Sequence, residues 1–378
     1  MCTTSQTAAE VEMRPDSSGS GKSSCALSQS VHDGCYELDP LVDRRWAGLV
    51  ARHPHSSVYH SLPWLESLKR TYGYRPVAYT TTPPGAELKN GVVFCRVQSW
   101  LTSPRLVSLP FSDHCRLLVN DSHDLYRLLA CLAQKVEQEE LKYIELRPWS
   151  ENTDYPSGFG EDCELWHHTL DLSPDLNELF RNFQKSSIQR KIVRAKREGL
   201  VYEEGRSRPL LESFYRLMLI TRRRHKLPPP AFAWFKNLAD CLGDKLKIRV
   251  ASKKGRAVAA LLTLSFKNTV VYKYGGSDAG FHNLGGVPFL FWKTIEDAKR
   301  EGGQELDLGR TYKENTGLIT FKERFGATRS ESTYLRFPAS SHQTKDGAWK
   351  MRMAKCFFSK MPDRMLVAAG RLIYPHIG

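Results

Sequence analysis

The same plan runs twice along this chain: helices with one apolar stripe, a group of short strands, one more helix and a closing strand. In the first pass Leu41, Trp46, Leu49 and Val50 predict a short helix, and Pro63 in the first turn with Ser61 as cap predicts a second. Strands are expected over 75–80, 91–97 and 105–109, a helix over 124–140 from the spacing of Leu125, Leu128, Leu129, Leu132 and Val136, and a strand over 143–147. In the second pass a strand over 167–172 leads to a long basic helix over 176–197 and to helices over 208–226 and 231–242. Strands over 245–253, 257–266 and 270–274 then precede a helix opened by Pro288 and a strand over 305–308. Two successive mixed units fit a duplication better than a doubly wound sheet. The expected fold class is therefore α/β (α+β), with two tandem domains, each a mixed, mainly antiparallel sheet flanked by helices. The boundaries expected are 1–35 for a disordered Ser/Gly-rich leader, 36–165 and 166–338 for the two units, and 339–378 for a basic amphipathic segment. At 378 residues the chain has room for both cores.

Charge narrows the partners. The formal net charge is +14, and residues 181–226 carry 14 Lys and Arg against 4 Asp and Glu, so most of the excess sits in one eighth of the chain. Within 181–197 there are seven basic residues and no acid, although like charges four apart on a helix cost a few tenths of a kcal/mol per pair. A helix that tolerates this is built to meet an anion, which makes Lys185, Arg190 and Arg194 phosphate-binding candidates. No helix-turn-helix, zinc finger or RNA-binding aromatic motif accompanies the charge, so sequence-specific DNA binding is not expected. The stretch 19–24 lacks the first glycine of a phosphate loop and follows no strand. Nine scattered cysteines without C-x-x-C or zinc spacing read as reduced thiols, and no apolar run has the length of a signal peptide or membrane span. A cytoplasmic protein, at most touching the inner membrane face through its basic C-terminus, is expected.

The densest chemistry lies between 270 and 326. Tyr272-Lys273-Tyr274-Gly275-Gly276-Ser277-Asp278 runs from a strand into a glycine-rich turn before the Pro288 helix, whose exposed amides suit a phosphate or an oxyanion. Asp307-Leu308-Gly309-Arg310 and Gly317 to Gly326, with Phe321-Lys322 inside, follow. The order of these motifs, with 185–199, Tyr59 to Trp64 and Leu109 to Asp113, resembles the Fem family, whose members carry two tandem GNAT-type acyltransferase folds. The likeness spans about residues 40–338.

The resemblance implies N-acyl transfer from an activated donor to an amine of a peptidoglycan, cell-envelope or exopolysaccharide precursor, phosphorylated or lipid-linked, without a metal or a resident cofactor. By it, Lys322 is a phosphate contact or an oxyanion stabiliser, as against a solvated lysine at a strand end. Arg310 and Lys185 are phosphate contacts, and Phe321 and Gly275 belong to the binding loop. Asp113 positions or deprotonates the amine, or else makes an Asx-type turn. Tyr274 and Asp278 orient the acceptor, and Asp307 is structural. Phe281 to Gly286 stands where coenzyme-A enzymes carry their pyrophosphate loop, and the helical hairpin with which some Fem ligases hold tRNA has no counterpart. The donor therefore stays open among acyl-CoA, acyl-carrier protein and aminoacyl-tRNA. The alternative is a non-catalytic module of the same duplicated fold that binds phosphate or a membrane surface.

Overall fold

A computed structural model of the chain describes residues 34–99, 102–149, 155–339, 358 and 361–376. The leader expected over 1–35 lies almost wholly outside the described residues, as does most of the basic segment before 361. The first half contains β1 (Tyr36–Leu38), α1 (Arg44–Arg52), α2 (Leu62–Tyr72), β2 (Arg75–Thr80), β3 (Val92–Ser99), β4 (Thr102–Val107), α3 (Ser122–Gln138) and β5 (Ile144–Leu146). The second contains β6 (Gly160–Asp171), α4 (Leu176–Asn182), α5 (Arg190–Arg197), β7 (Val201–Gly205), α6 (Arg208–Arg224) and α7 (Phe232–Leu242). It continues with β8 (Leu246–Lys253), β9 (Arg256–Phe266), β10 (Thr269–Ser277), α8 (Gly286–Arg300), β11 (Glu305–Tyr312), α9 (Thr316–Glu323) and β12 (Thr328–Phe337), and α10 (Asp363–Ile373) closes the chain.

All twelve strands join one sheet in the order β1-β2-β3-β4-β5-β12-β6-β11-β10-β9-β8-β7, antiparallel except at β4·β5 and β10·β11. The two halves are welded by β12, which pairs with β5 on one side and β6 on the other. The expected boundary at 165/166 falls inside β6, a strand whose polar first half hides its length. β12 is polar too, with its first four residues exposed, and no apolar alternation announces it.

Alternation on the strands sends side chains to two covered faces. Val93, Cys95 and Val97 of β3 share one core with Ile248 and Val250 of β8, under α1, α2, α6 and α7. Val92 and Phe94 meet α3 on the opposite face, and Val258, Leu261 and Val270 meet α5 and α8 there. The helices α2 and α7 cross between the halves, where Trp64 and Trp234, both fully buried, pack edge to face at 5.4 Å. Burying each such ring stabilises the fold by roughly 1.5–3 kcal/mol.

Several expectations are corrected. The basic helix expected over 176–197 is broken: Phe183 is extended and buried, and a π-helical turn spans Lys185–Gln189 before α5 begins. The Gln189 side-chain amide donates to the Phe183 carbonyl at 2.7 Å and holds the break open. Val193, expected in the buried stripe, is 56% exposed because the break rotates the helix. Ser61 precedes α2 but its hydroxyl donates back to the Val58 carbonyl at 2.6 Å and caps nothing. Cys35 and Cys131 form a disulfide across 96 residues, against the expectation of thiols throughout; a pair so far apart cannot be read from spacing. Among the described residues Cys95, Cys115, Cys163 and Cys241 remain thiols. No helix among the described residues is long and apolar enough to cross a membrane.

Candidate acyl-transfer site

The sheet opens where β10 and β11 part. Their parallel ladder pairs Thr269, Val270 and Val271 with Glu305, Leu306 and Asp307 and then ends, while β10 continues on β9 and β11 continues on β6. At the far end of β10 the chain makes a 3-10 turn over Ala279–Leu284 and enters α8 at Gly285, whose φ of +76° is left-handed. An ideal Cβ there would collide with the Lys191 carbonyl, whose carbon lies 2.9 Å away, so only glycine lets α8 start this close to α5.

A cavity of about 270 Å³ lies against this helix start. Ile188, Val258, Val287 and Phe321 give it apolar walls, and Lys191 and Arg324, both exposed, stand at its rim. The first-turn amides of α8 belong to the part of a helix that lacks intrahelical acceptors and carries the positive end of the dipole. Amides, two cations and an apolar wall together suit a ligand with one anionic and one apolar part. His282, also in the lining, is held below its usual pKa by burial and then by Arg224 and Lys191, so it is neutral at pH 7.

Toward the first half lies a buried charged centre. Asp113 accepts a hydrogen bond from the Tyr59 hydroxyl at 2.9 Å and from Lys273 Nζ at 2.7 Å, and Arg310 Nε lies 3.5 Å away. Burial alone would raise the Asp113 pKa, but Lys273 and then Arg310 outweigh it and bring it down to about 2. Lys273 is pulled below its usual value by burial, against Asp113, and its ammonium faces the rings of Tyr59, Tyr274 and Trp64 at 5.2, 5.6 and 5.9 Å.

Lys322 supports this centre from below. It is 3% exposed on α9, and its Nζ donates to the carbonyls of Gly309 (2.7 Å) and Arg310 (3.1 Å) and to Thr311 Oγ1 (2.7 Å). Those three acceptors flank the register shift of β11 between Asp307 and Arg310, where Gly309 has φ +70° and would bring a Cβ to 3.3 Å from Asp113.

Residues 182–322 match the Acetyltransferase (GNAT) domain family. This part of the chain is similar to that family. The whole described body has the fold of the tandem, Fem-like GNAT proteins. It is similar to the crystal structure of FemX (TM-score 0.64, 14% identity, 84% of this chain and 99% of that one). It is also similar to L-PGS from Bacillus licheniformis (TM-score 0.52, 13% identity, 84% and 97%). A third likeness is to a tandem GNAT protein from the clavulanic acid biosynthesis pathway (TM-score 0.51, 10% identity, 82% and 99%). Among curated proteins no sequence of significant similarity is found.

Of the residues singled out by sequence, the fold brings Asp113 from the first half and Arg310 from the second together and sets Phe321 in the cavity wall. Lys322, expected to touch a phosphate or an oxyanion, has all three of its protons spent on the protein interior, and it lies on a helix, not at a strand end. An Asp113 of pKa about 2 is a permanent anion that positions Lys273, and is too weakly basic to deprotonate an amine. Asp278 is occupied as the acceptor for Gly280 N–H at 3.0 Å and as ion-pair partner of Arg256 at 2.7 Å. The Tyr274 hydroxyl accepts from Trp234 Nε1 at 2.9 Å inside the core, and Gly275 packs against the Tyr272 hydroxyl. Lys185 and Arg190 are exposed and Arg194 faces Glu198 at 3.7 Å; none of the three lines the cavity, because the π turn swings Lys191 into it. Lys191, Arg324 and Lys273 escaped the sequence reading. Lys273 carried a signal, a lone lysine between two tyrosines, but the register shift between Tyr272 and Tyr274 breaks the parity by which its facing would be read.

Proposed function

We propose that the chain is an N-acyltransferase that holds an activated acyl donor in the cavity at the start of α8 and transfers the acyl group to an amine of a cell-envelope or polysaccharide precursor. The observation that carries the reading is the join of the α8 amides, the Lys191 and Arg324 cations and the Phe321 wall beside the parted strands, in and next to the stretch that is similar to the GNAT family. Phosphates of the donor meet the helix start and the two cations, and the acyl chain follows the apolar wall. The amine nitrogen attacks the donor carbonyl carbon, a C–N bond forms and the C–S or C–O bond to the carrier breaks. The amine proton leaves with the carrier's thiol or hydroxyl. Arg310, whose side chain is 29% exposed beside the buried Lys273–Asp113 pair, gives the acceptor side a cation for a phosphorylated or lipid-linked substrate.

A peripheral membrane contact goes with a lipid-linked acceptor. It draws support from α10, whose outer face carries Arg364, Met365, Arg371 and Leu372, with Met365 54% and Leu372 71% exposed. Incubation with acyl-CoA, acyl-carrier protein and aminoacyl-tRNA, each with an amine acceptor pool, and mass spectrometry of the products tests the proposal. A mass gain on an amine with consumption of one donor supports it. Consumption of no donor, with the protein folded, removes it.

A further inference from the structure

The acyl-transfer reading leaves a second buried cluster unused. Asp307, 1% exposed, has His114 Nε2 at 3.2 Å from one carboxylate oxygen and His167 Nε2 at 2.9 Å from the other, which also accepts the Gly309 N–H at 2.7 Å. The three side chains come from the loop after β4, from β6 and from β11, far apart in sequence. Asp113 is matched by Lys273 and Arg310, but no lysine or arginine among the described residues pairs with Asp307. A carboxylate so deeply buried requires a counter-charge.

A hydrogen bond accounts for the His114 contact but not for that of His167. His167 Nε2 is within reach of the carboxylate yet is not aligned to donate to it, and neither of its ring nitrogens has a partner among the described residues. Two imidazole nitrogens and a carboxylate oxygen, all within 4.8 Å of one another, form instead the donor set of a first-row divalent ion. Ligands on a tetrahedral zinc-like ion stand roughly 3.3 Å apart, and the two imidazole nitrogens lie 3.2 and 2.9 Å from the two Asp307 oxygens. A separate cavity of about 280 Å³, lined by His114, Asp307, Ser56, Lys267 and Trp149, adjoins the cluster.

We propose that His114, His167 and Asp307 bind one divalent transition-metal ion through two Nε2 atoms and a carboxylate oxygen, with the fourth position open to this cavity. The ion would supply the charge that Asp307 lacks and tie the first half of the chain to β6 and β11. Bound in this way each imidazole carries its proton on Nδ1. The competing account places a proton on one imidazole as the counter-charge, and it calls for no metal uptake.

The test uses the untagged full chain, stripped with chelator and titrated with Zn²⁺ by calorimetry and with Co²⁺ by visible absorption. One equivalent of tight uptake and the intense bands of a four-coordinate Co²⁺ site are expected. His114→Gln and Asp307→Asn should each weaken binding at least about a hundredfold. His123→Gln, in the exposed Asp121, His123 and Asp124 cluster, should change nothing. Trp149, whose ring lies 4.0 Å from that of His167 and 4.8 Å from that of His114, locates the ion without disturbing a ligand. Trp149→Phe, at a half-exposed position, should retain uptake and remove the main component of Co²⁺ quenching. The proposal is overturned if the wild-type chain takes up no equivalent, if uptake follows His123 in place of His114 and Asp307, or if quenching is the same without Trp149.

Discussion

Replacing Lys322 with methionine keeps the aliphatic stem and deletes the ammonium. Three acceptors around the β11 register shift then lose their donor in an interior where Lys322 itself is 3% exposed. Removing one partner from such a buried network costs about 3 kcal/mol or more. For a chain of this size that lowers Tm by roughly 4 °C. The pH dependence sharpens the expectation. Burial, partly offset by Asp113 and Asp307, brings the Lys322 pKa from 10.5 down to about 8. Between those two values the unfolded chain retains the proton that the folded chain has released, so stability rises with pH across the window and is flat below it. Wild type should therefore gain on Lys322→Met by up to about 3 kcal/mol between pH 8 and 10.5. Urea unfolding followed by circular dichroism at pH 7, 8.5 and 10 reads both effects. A Lys322→Met protein that melts with wild type, shows a constant stability gap across pH and has lost all transfer would refute the reasoning, since the ammonium would then serve the substrate and not the β11 backbone.

Three further outcomes follow from the same geometry. Asp113 contributes stability that is present above pH 3.8 and lost as pH falls toward its folded value of about 2, so the transfer rate should show no Asp113 inflection between pH 4 and 7; a fitted acid limb that vanishes in Asp113→Asn would contradict this. Gly285→Ala forces a side chain at φ +76° against the Lys191 carbonyl and should cost about 1–3 kcal/mol in a thermal melt while raising KM for the donor; an unchanged melt would mean that α5 and α8 are not held this closely. Lys191→Glu and Arg324→Glu should each weaken donor binding by about tenfold in calorimetry and reduce its salt dependence, with stability unchanged. Donor affinity indifferent to both would move the phosphate elsewhere.

Local signals in the sequence were enough to determine most of the elements. Helices α3, α6, α7 and α8 and strands β2, β8 and β9 follow from apolar spacing, because one buried face leaves a period of 3.6 or 2 in the residues themselves. The duplication and the GNAT motifs were legible for the same reason, being written in consecutive residues. Polar elements were not: β7, β12 and α9 bury too little of their own length to show a period. Tertiary structure alone decided that β12 would weld two units into one sheet, and that the π turn would aim Lys191, and neither Lys185 nor Arg190, at the cavity. It also decided the fate of the charged residues. Lys322 and Asp113 look alike in sequence, each a polar residue beside a phenylalanine or serine in a motif, and their chemistry depends on what burial surrounds them with. For Lys322 that is three backbone and hydroxyl acceptors, and for Asp113 two cations, contributed by strands 160 and more residues away in the second case. Asp307 shows the limit most plainly: its partners stand 193 residues before it at His114 and in β6 at His167, a distance over which residue spacing carries no information and the fold carries all of it.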